Sequence, residues 1–177
     1  MRSELQKRLG ERAKEIEIVI GEFDASDFGQ QQNCSLAEAL FYAEAYGQFV
    51  VNKISAAAHY SLQSAPFGLV PGFRDGHYGG NPWNNVTYRP KGFAIRLWSK
   101  HMGGKLVKCR TENSDTYDVS EWTTPGWHRM NYRGSAPYIS AWAGLSEDGK
   151  TLSIMIINRH EKQSLSVNIS IANFTCK

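Results

Sequence analysis

The chain has 177 residues, 41% hydrophobic and 12% aromatic, which excludes a disordered segment and suffices for one domain or two small ones. Its 20 Lys and Arg against 17 Asp and Glu leave a formal charge of +3, too small and too scattered to suit nucleic acid. Cys34, Cys109 and Cys176 lie far apart and outside any paired ligand spacing, so neither a disulfide framework, a metal site nor a cofactor is expected.

No apolar run approaches the roughly 18 residues of a membrane span, so no membrane partner is expected. The residues after Met1 lack the apolar core of an export signal, and no compartment is assigned. Without such a signal, the Asn-x-Ser/Thr matches at Asn33, Asn85, Asn168 and Asn173 mean little.

In chain order, Leu5, Leu9 and Ala13 recur at spacing four and predict a short helix over 3–14. The near-continuous apolar run from Ile16 to Phe23, interrupted by Glu17 and ending beside Glu22, predicts a strand buried on both faces. Glu22 would stand at its C-terminal end, where parallel sheets place their chemistry. Asp24 and Asp27 in the following polar loop read as turn residues. Ser35-Leu36-Ala37-Glu38 has the pattern of a capping box, opening a helix over 36–51 with Leu36, Leu40, Ala43, Tyr46, Phe49 and Val50 in helical period. The small, apolar stretch 54–60 predicts a second buried strand ending in His59-Tyr60. Residues 61–89 are dense in Gly, Pro, Asn and aromatics without periodicity, a long loop of the kind that carries function. Pro90 suits the first turn of a helix to about His101, with Phe93, Ala94, Leu97 and Trp98 on one face.

After Gly104 the period changes to two. Strands are predicted over 105–109, 138–143, 151–157 and 165–171, with Glu147-Asp148-Gly149-Lys150 as a hairpin turn. The fold class expected is α+β: two parallel strands with their helices over 1–103, then an antiparallel β-sandwich over 104–177.

The segment Glu15 to Phe23 resembles the seventh strand of retaining (β/α)8-barrel glycoside hydrolases of the α-L-arabinofuranosidase type, whose nucleophile is a Glu ending that strand. In the same order, 35–51 looks like the seventh helix, 54–60 the eighth strand and 90–100 the eighth helix, and Ala141-Trp142-Ala143 and 152–159 are similar to the C-terminal β-sandwich of that family. The resemblance implies a partial barrel segment, Glu22 in the nucleophile position and an arabinoxylan-type oligo- or polysaccharide as partner.

Retaining hydrolysis needs a second carboxyl about 5–5.5 Å from the nucleophile. The family supplies it as a Glu following Asn, and no Asn-Glu pair occurs here. A whole barrel takes about 250 residues, so the expectation is a fragment with weak or no activity. His59, Tyr60, Asp75 and Trp83 are the candidate sugar-binding residues, Asp75 being also the best outside carboxylate, with Trp122 and Trp127 as further stacking surfaces. Trp98 and Trp142 are assigned to the core. A non-catalytic carbohydrate-binding module is one alternative, and a structural domain that buries its open edges in a homo-oligomer is the other.

Overall fold

The computed structural model describes residues 2–25, 34–64, 67–70, 88–119, 122–123, 129–130 and 134–174. Helix α1 (Arg2–Leu9) runs into a 3-10 turn (Gly10–Lys14), followed by strand β1 (Val19–Phe23). Helix α2 (Leu36–Val51) begins where the capping pattern placed it, with the Ser35 hydroxyl accepting from the Glu38 N–H at 3.2 Å. Its chain leads to β2 (Ala56–His59), which lies parallel to β1 with Val19 opposite Ala56 and Phe23 opposite His59. Helix α3 (Pro90–His101) has Pro at its first position, where the missing N–H costs nothing. Arg89 ties the entry of α3 to the preceding turn, its side chain donating to the Gly68 carbonyl at 3.1 Å.

Every strand pairing described in the second half is antiparallel. Strands β3 (Lys105–Val107), β8 (Ile139–Leu145) and β9 (Leu152–Asn158) form one sheet in the order β3-β8-β9. Between β3 and β8 the chain forms two further ladders. These pair β4 (Thr116–Val119) with β7 (Gly134–Pro137), and β5 (Trp122–Thr123) with β6 (Arg129–Met130). The β8–β9 turn is closed by Asp148, whose Oδ1 accepts from the Ser146 hydroxyl at 2.6 Å and the Lys150 N–H at 3.1 Å. Gly149 supplies the positive φ of +69° that this turn requires.

Three expectations are corrected. Neither β1 nor β2 is buried on both faces: Val19 is 58% exposed, and in β2 exposed and half-buried residues alternate. Residues 165–171 form no strand, although Leu165, Val167, Ile169 and Ile171 alternate with polar residues. At the end of β9 the chain turns away, the His160 ring accepting from the Lys162 and Gln163 N–H groups, and the segment finds no ladder partner among the described residues. The buried face of α3 is also different. Lys91, Ala94 and Trp98 are buried, while Phe93 and Leu97 point to solvent, because the small Ala94 faces Ala39 and Ala43 and lets the two helices approach.

The core gathers Ala39, Tyr42 and Ala43 of α2, Ala94 of α3 and Ile157 of β9, with Phe23, Tyr46 and Trp142 packed around them. Trp98 donates its indole N–H to the Ala43 carbonyl at 2.8 Å. Helix α2 also holds the antiparallel sheet through Glu44, which accepts from the Ser140 hydroxyl at 2.7 Å and pairs with Arg159 at 2.7 Å. Burial alone would raise the pKa of Glu44, but the hydrogen bonds from Ser140, Gln48 and Trp142 and the charge of Arg159 prevail and lower it. Beside Glu44, Gly47 leaves room for the Trp142 indole to lie directly on the helix backbone. Among the described residues, no helix is long and apolar enough to cross a membrane.

Candidate functional site

Phe23 turns toward α2, with its ring 5.3 Å from Tyr42 and 5.1 Å from Phe49. The β1–β2 register shifts between Ile20 and Phe23, and within that irregularity Glu22 is exposed where Phe23 is half-buried, so the two side chains do not share a face. Glu22 makes no hydrogen bond or ion pair among the described residues.

His59 does not join Glu22. As the register partner of Phe23 it shares the helix-facing side, where its Nδ1 meets the Tyr42 hydroxyl and its ring stands edge-on to Phe23 at 6.1 Å. Burial, reinforced by the charge of Lys91, lowers the pKa of His59 and favours the neutral ring. Tyr60 follows it, 48% exposed, with its ring 5.8 Å from that of Phe67. The Tyr60–Ser61 peptide bond is cis. Asp75 and Trp83 lie outside the described residues, as do Asp27 and Trp127.

The densest chemistry sits on the other side of the strand ends. Lys91, fully buried on α3, places its ammonium 3.0 Å from Glu38 Oε1 on α2 and 3.2 Å from Asp24 Oδ2 at the exit of β1. Tyr42 lies under this ammonium, its ring centre 5.7 Å away, and donates its hydroxyl to Asp24 Oδ1 at 3.2 Å. Because that proton goes to Asp24, the Tyr42 oxygen is left to receive Nδ1–H of His59, an assignment drawn from the network. One continuous chain of polar contacts thus links Glu38, Lys91, Asp24, Tyr42 and His59, from four separate elements.

The electrostatics follow from burial. Glu38 is only 1% exposed, and loss of water pushes its pKa from the usual 4.5 up to about 7; the adjacent Asp24 adds to this rise and Lys91 opposes it. The Tyr42 hydroxyl is raised by burial, then by the nearby carboxyls of Asp24 and Glu38, and stays protonated. A fully buried ammonium is tolerable only with such partners.

Sequence reasoning missed this cluster. The capping pattern gave the carboxylate of Glu38 a different target, the backbone N–H at its own helix start. The structure keeps the Ser35 half of that motif and commits Glu38 Oε1 to Lys91 instead. The available signal was Lys91 itself, in helical period with Ala94 and Trp98 on what became the buried stripe.

No family model matches the chain, and no curated protein matches it. Among solved structures the chain is similar to the thermostable GH51 α-L-arabinofuranosidase from Thermotoga petrophila RKU-1, with a TM-score of 0.68 at 22% identity, over 93% of this chain and 33% of that one. The chain thus spans about a third of the length of that enzyme. At this identity the likeness is one of fold: the chain has a glycoside hydrolase-like architecture of helices with parallel and antiparallel sheets.

Proposed function

We propose that Glu22 occupies the nucleophile position of a retaining glycoside hydrolase site that takes α-L-arabinofuranosyl groups, in a chain of glycoside hydrolase ancestry. The observation that carries this reading is the placement of Glu22 one residue from the end of β1, on the sheet face that α2 leaves open, in a fold like that of a GH51 arabinofuranosidase. In this reading β1, α2, β2 and α3 are the last units of a (β/α)8 barrel over 1–103, and 104–177 is a sandwich-type unit. His59, Tyr60, Asp75 and Trp83 remain candidates for contacts to an arabinoxylan-type chain.

Among the described residues no general acid stands beside Glu22. Asp24 is tied to Lys91 and Tyr42 and Glu38 to Lys91, so neither is placed to protonate a leaving oxygen beside Glu22. Natural glycosides, with poor leaving groups, would therefore be cleaved slowly or not at all. A dinitrophenyl leaving group needs no acid. With a dinitrophenyl 2-deoxy-2-fluoro-arabinofuranoside, the Glu22 carboxylate would attack the anomeric carbon as the bond to the phenolate breaks, and the fluorine would slow hydrolysis of the ester formed. Mass spectrometry of digested protein should find the sugar on Glu22 and none in Glu22→Gln. An unlabelled wild-type protein would remove the nucleophile assignment.

A second reading, assembly with another copy, is favoured by apolar side chains left exposed on both helices: Phe41 at 45%, Phe93 at 47% and Leu97 at 53%. A homo-oligomer is the expected outcome of light scattering at micromolar concentration, and a monomer would refute it.

A further inference from the structure

The buried cluster contains two carboxyls, Asp24 and Glu38, and a single ammonium, Lys91. The other titratable groups facing Glu38 are Tyr42 on its own helix and, through Tyr42, His59 at the end of β2, and the environment of each favours its neutral form. With both carboxyls ionised the cluster would carry one negative charge too many, in a place from which water is excluded. Glu38 is the group on which the imbalance falls: its Oε2 is buried and no donor reaches it among the described residues, while the adjacent Asp24 carboxyl can accept a hydrogen bond from Glu38 only when Glu38 is protonated. Asp24, by contrast, is satisfied four ways, by Lys91, by Tyr42 and by its own neighbour, with the Ala25 N–H donating to Oδ1 at 2.6 Å and Lys91 reaching both oxygens.

We propose that Glu38 enters this cluster as the neutral acid, and that losing its proton loosens Lys91 and Asp24 and with them the end of β1, so that Glu38 and Lys91 are positioning residues for Glu22. The coupling route is short. Asp24 follows Phe23 and Glu22 directly, and Phe23 is held both by its backbone oxygen, which accepts from the Tyr60 N–H at 3.1 Å, and by rings of the same cluster. A second anion in the cluster competes with Asp24 for the one ammonium. The strand end is what can give way, because α2 and α3 are locked together by Trp98 and Ala43. The consequence assigned to Glu22 rests on its nucleophile role, whereas the proton-linked clamp does not.

The test is a pH titration of the full chain followed by NMR, with the Glu38 carboxyl carbon and the amides of 22–25 observed together. The carboxyl signal should titrate with a midpoint near 7 rather than the usual 4.5, and the Glu22 amide should shift with that same midpoint, well apart from any step of its own carboxyl. Glu38→Gln, which keeps the shape of the neutral acid, should abolish the step in the Glu22 amide, and Lys91→Met should move the Glu38 midpoint upward. Should Lys91→Met not fold, the wild type and Glu38→Gln decide alone. A Glu38 midpoint in the ordinary range, or a Glu22 amide that ignores it, would overturn the proposal. Failure of the fluorosugar to label Glu22 would instead remove the nucleophile assignment and leave this shared transition in place.

Discussion

Replacing Gly47 by Ala sets two effects against each other, and their sizes decide the sign. In an isolated helix the change stabilises by about 1 kcal/mol, since Ala is the better helix former. Here a Cβ at position 47 would lie 2.2 Å from Trp142 Cε2 and 2.4 Å from Cδ2. Carbon atoms in contact sit about 3.5–4 Å apart, so the indole would have to retreat by about 1.3 Å or more. Such overpacking costs about 1–3 kcal/mol. Retreat also strains the bond from Trp142 Nε1 to Glu44, 3.3 Å long, in the same group of contacts that fastens β8 to α2. Gly47→Ala is therefore expected to destabilise by up to about 2 kcal/mol, a fall in Tm of up to about 8 °C for a chain of this size. Thermal unfolding followed by circular dichroism reads the effect. In a Trp142→Leu background the clash disappears, and Gly47→Ala should then raise Tm. An increase in Tm in the otherwise native protein would refute the close docking of the indole on α2.

Lys91→Met keeps volume but strips two buried carboxyls of their cation, and removal of one partner from a buried ion pair costs about 3–5 kcal/mol. Urea unfolding should show a loss of that size at pH 8 and a smaller one at pH 5, where Glu38 is neutral; equal losses would argue against the charge imbalance. The pH dependence of the native protein has a definite sign. Because the folded pKa of Glu38, about 7, lies above the usual 4.5, the unfolded chain gives up this proton first as pH rises. The stability contributed by this group is complete below pH 4.5 and is lost as pH climbs to about 7, on the order of 3 kcal/mol at about 1.4 kcal/mol per unit. Urea midpoints at pH 5, 6 and 7 should therefore converge between wild type and Glu38→Gln at low pH and separate as pH rises. Parallel profiles would contradict the shift.

The sequence announces those elements whose ends carry local chemistry. Both long helices are bounded as expected because Ser35 caps one and Pro90 opens the other, and the β8–β9 hairpin because Asp148 and Gly149 can only serve a tight turn. What periodicity conveys is that a face wants burial, not which neighbour will bury it. Residues 165–171 have the pattern of a strand and no ladder, and Phe93 and Leu97 have the pattern of a core face that Ala94 and Trp98 took instead. The β4–β7 ladder escaped notice because β4 has only four residues and its partner, Gly-Ser-Ala-Pro, carries no strand pattern of its own. At the candidate site, the exit of β1 beside Glu22 was legible from the run that precedes it. The Lys91 cluster was not, since it joins residues 53 and 67 positions apart and no local signal spans such distances.

Helix α2 fastens to its surroundings over very unequal spans of chain. Its bond to Trp98 joins residues 55 positions apart, and its bond to Ser140 residues 96 apart, whereas β8 and β9 close through a turn of a few residues. Closing a longer loop sacrifices more chain entropy before any contact repays it. The β8–β9 hairpin and the α2–α3 pair are thus the units that can form early, and the Glu44 contacts with Ser140, Trp142 and Arg159 are the step that joins them last. Glu44 then acts on the rate at which the two parts come undone: truncating it should speed unfolding while leaving the rate of folding nearly unchanged.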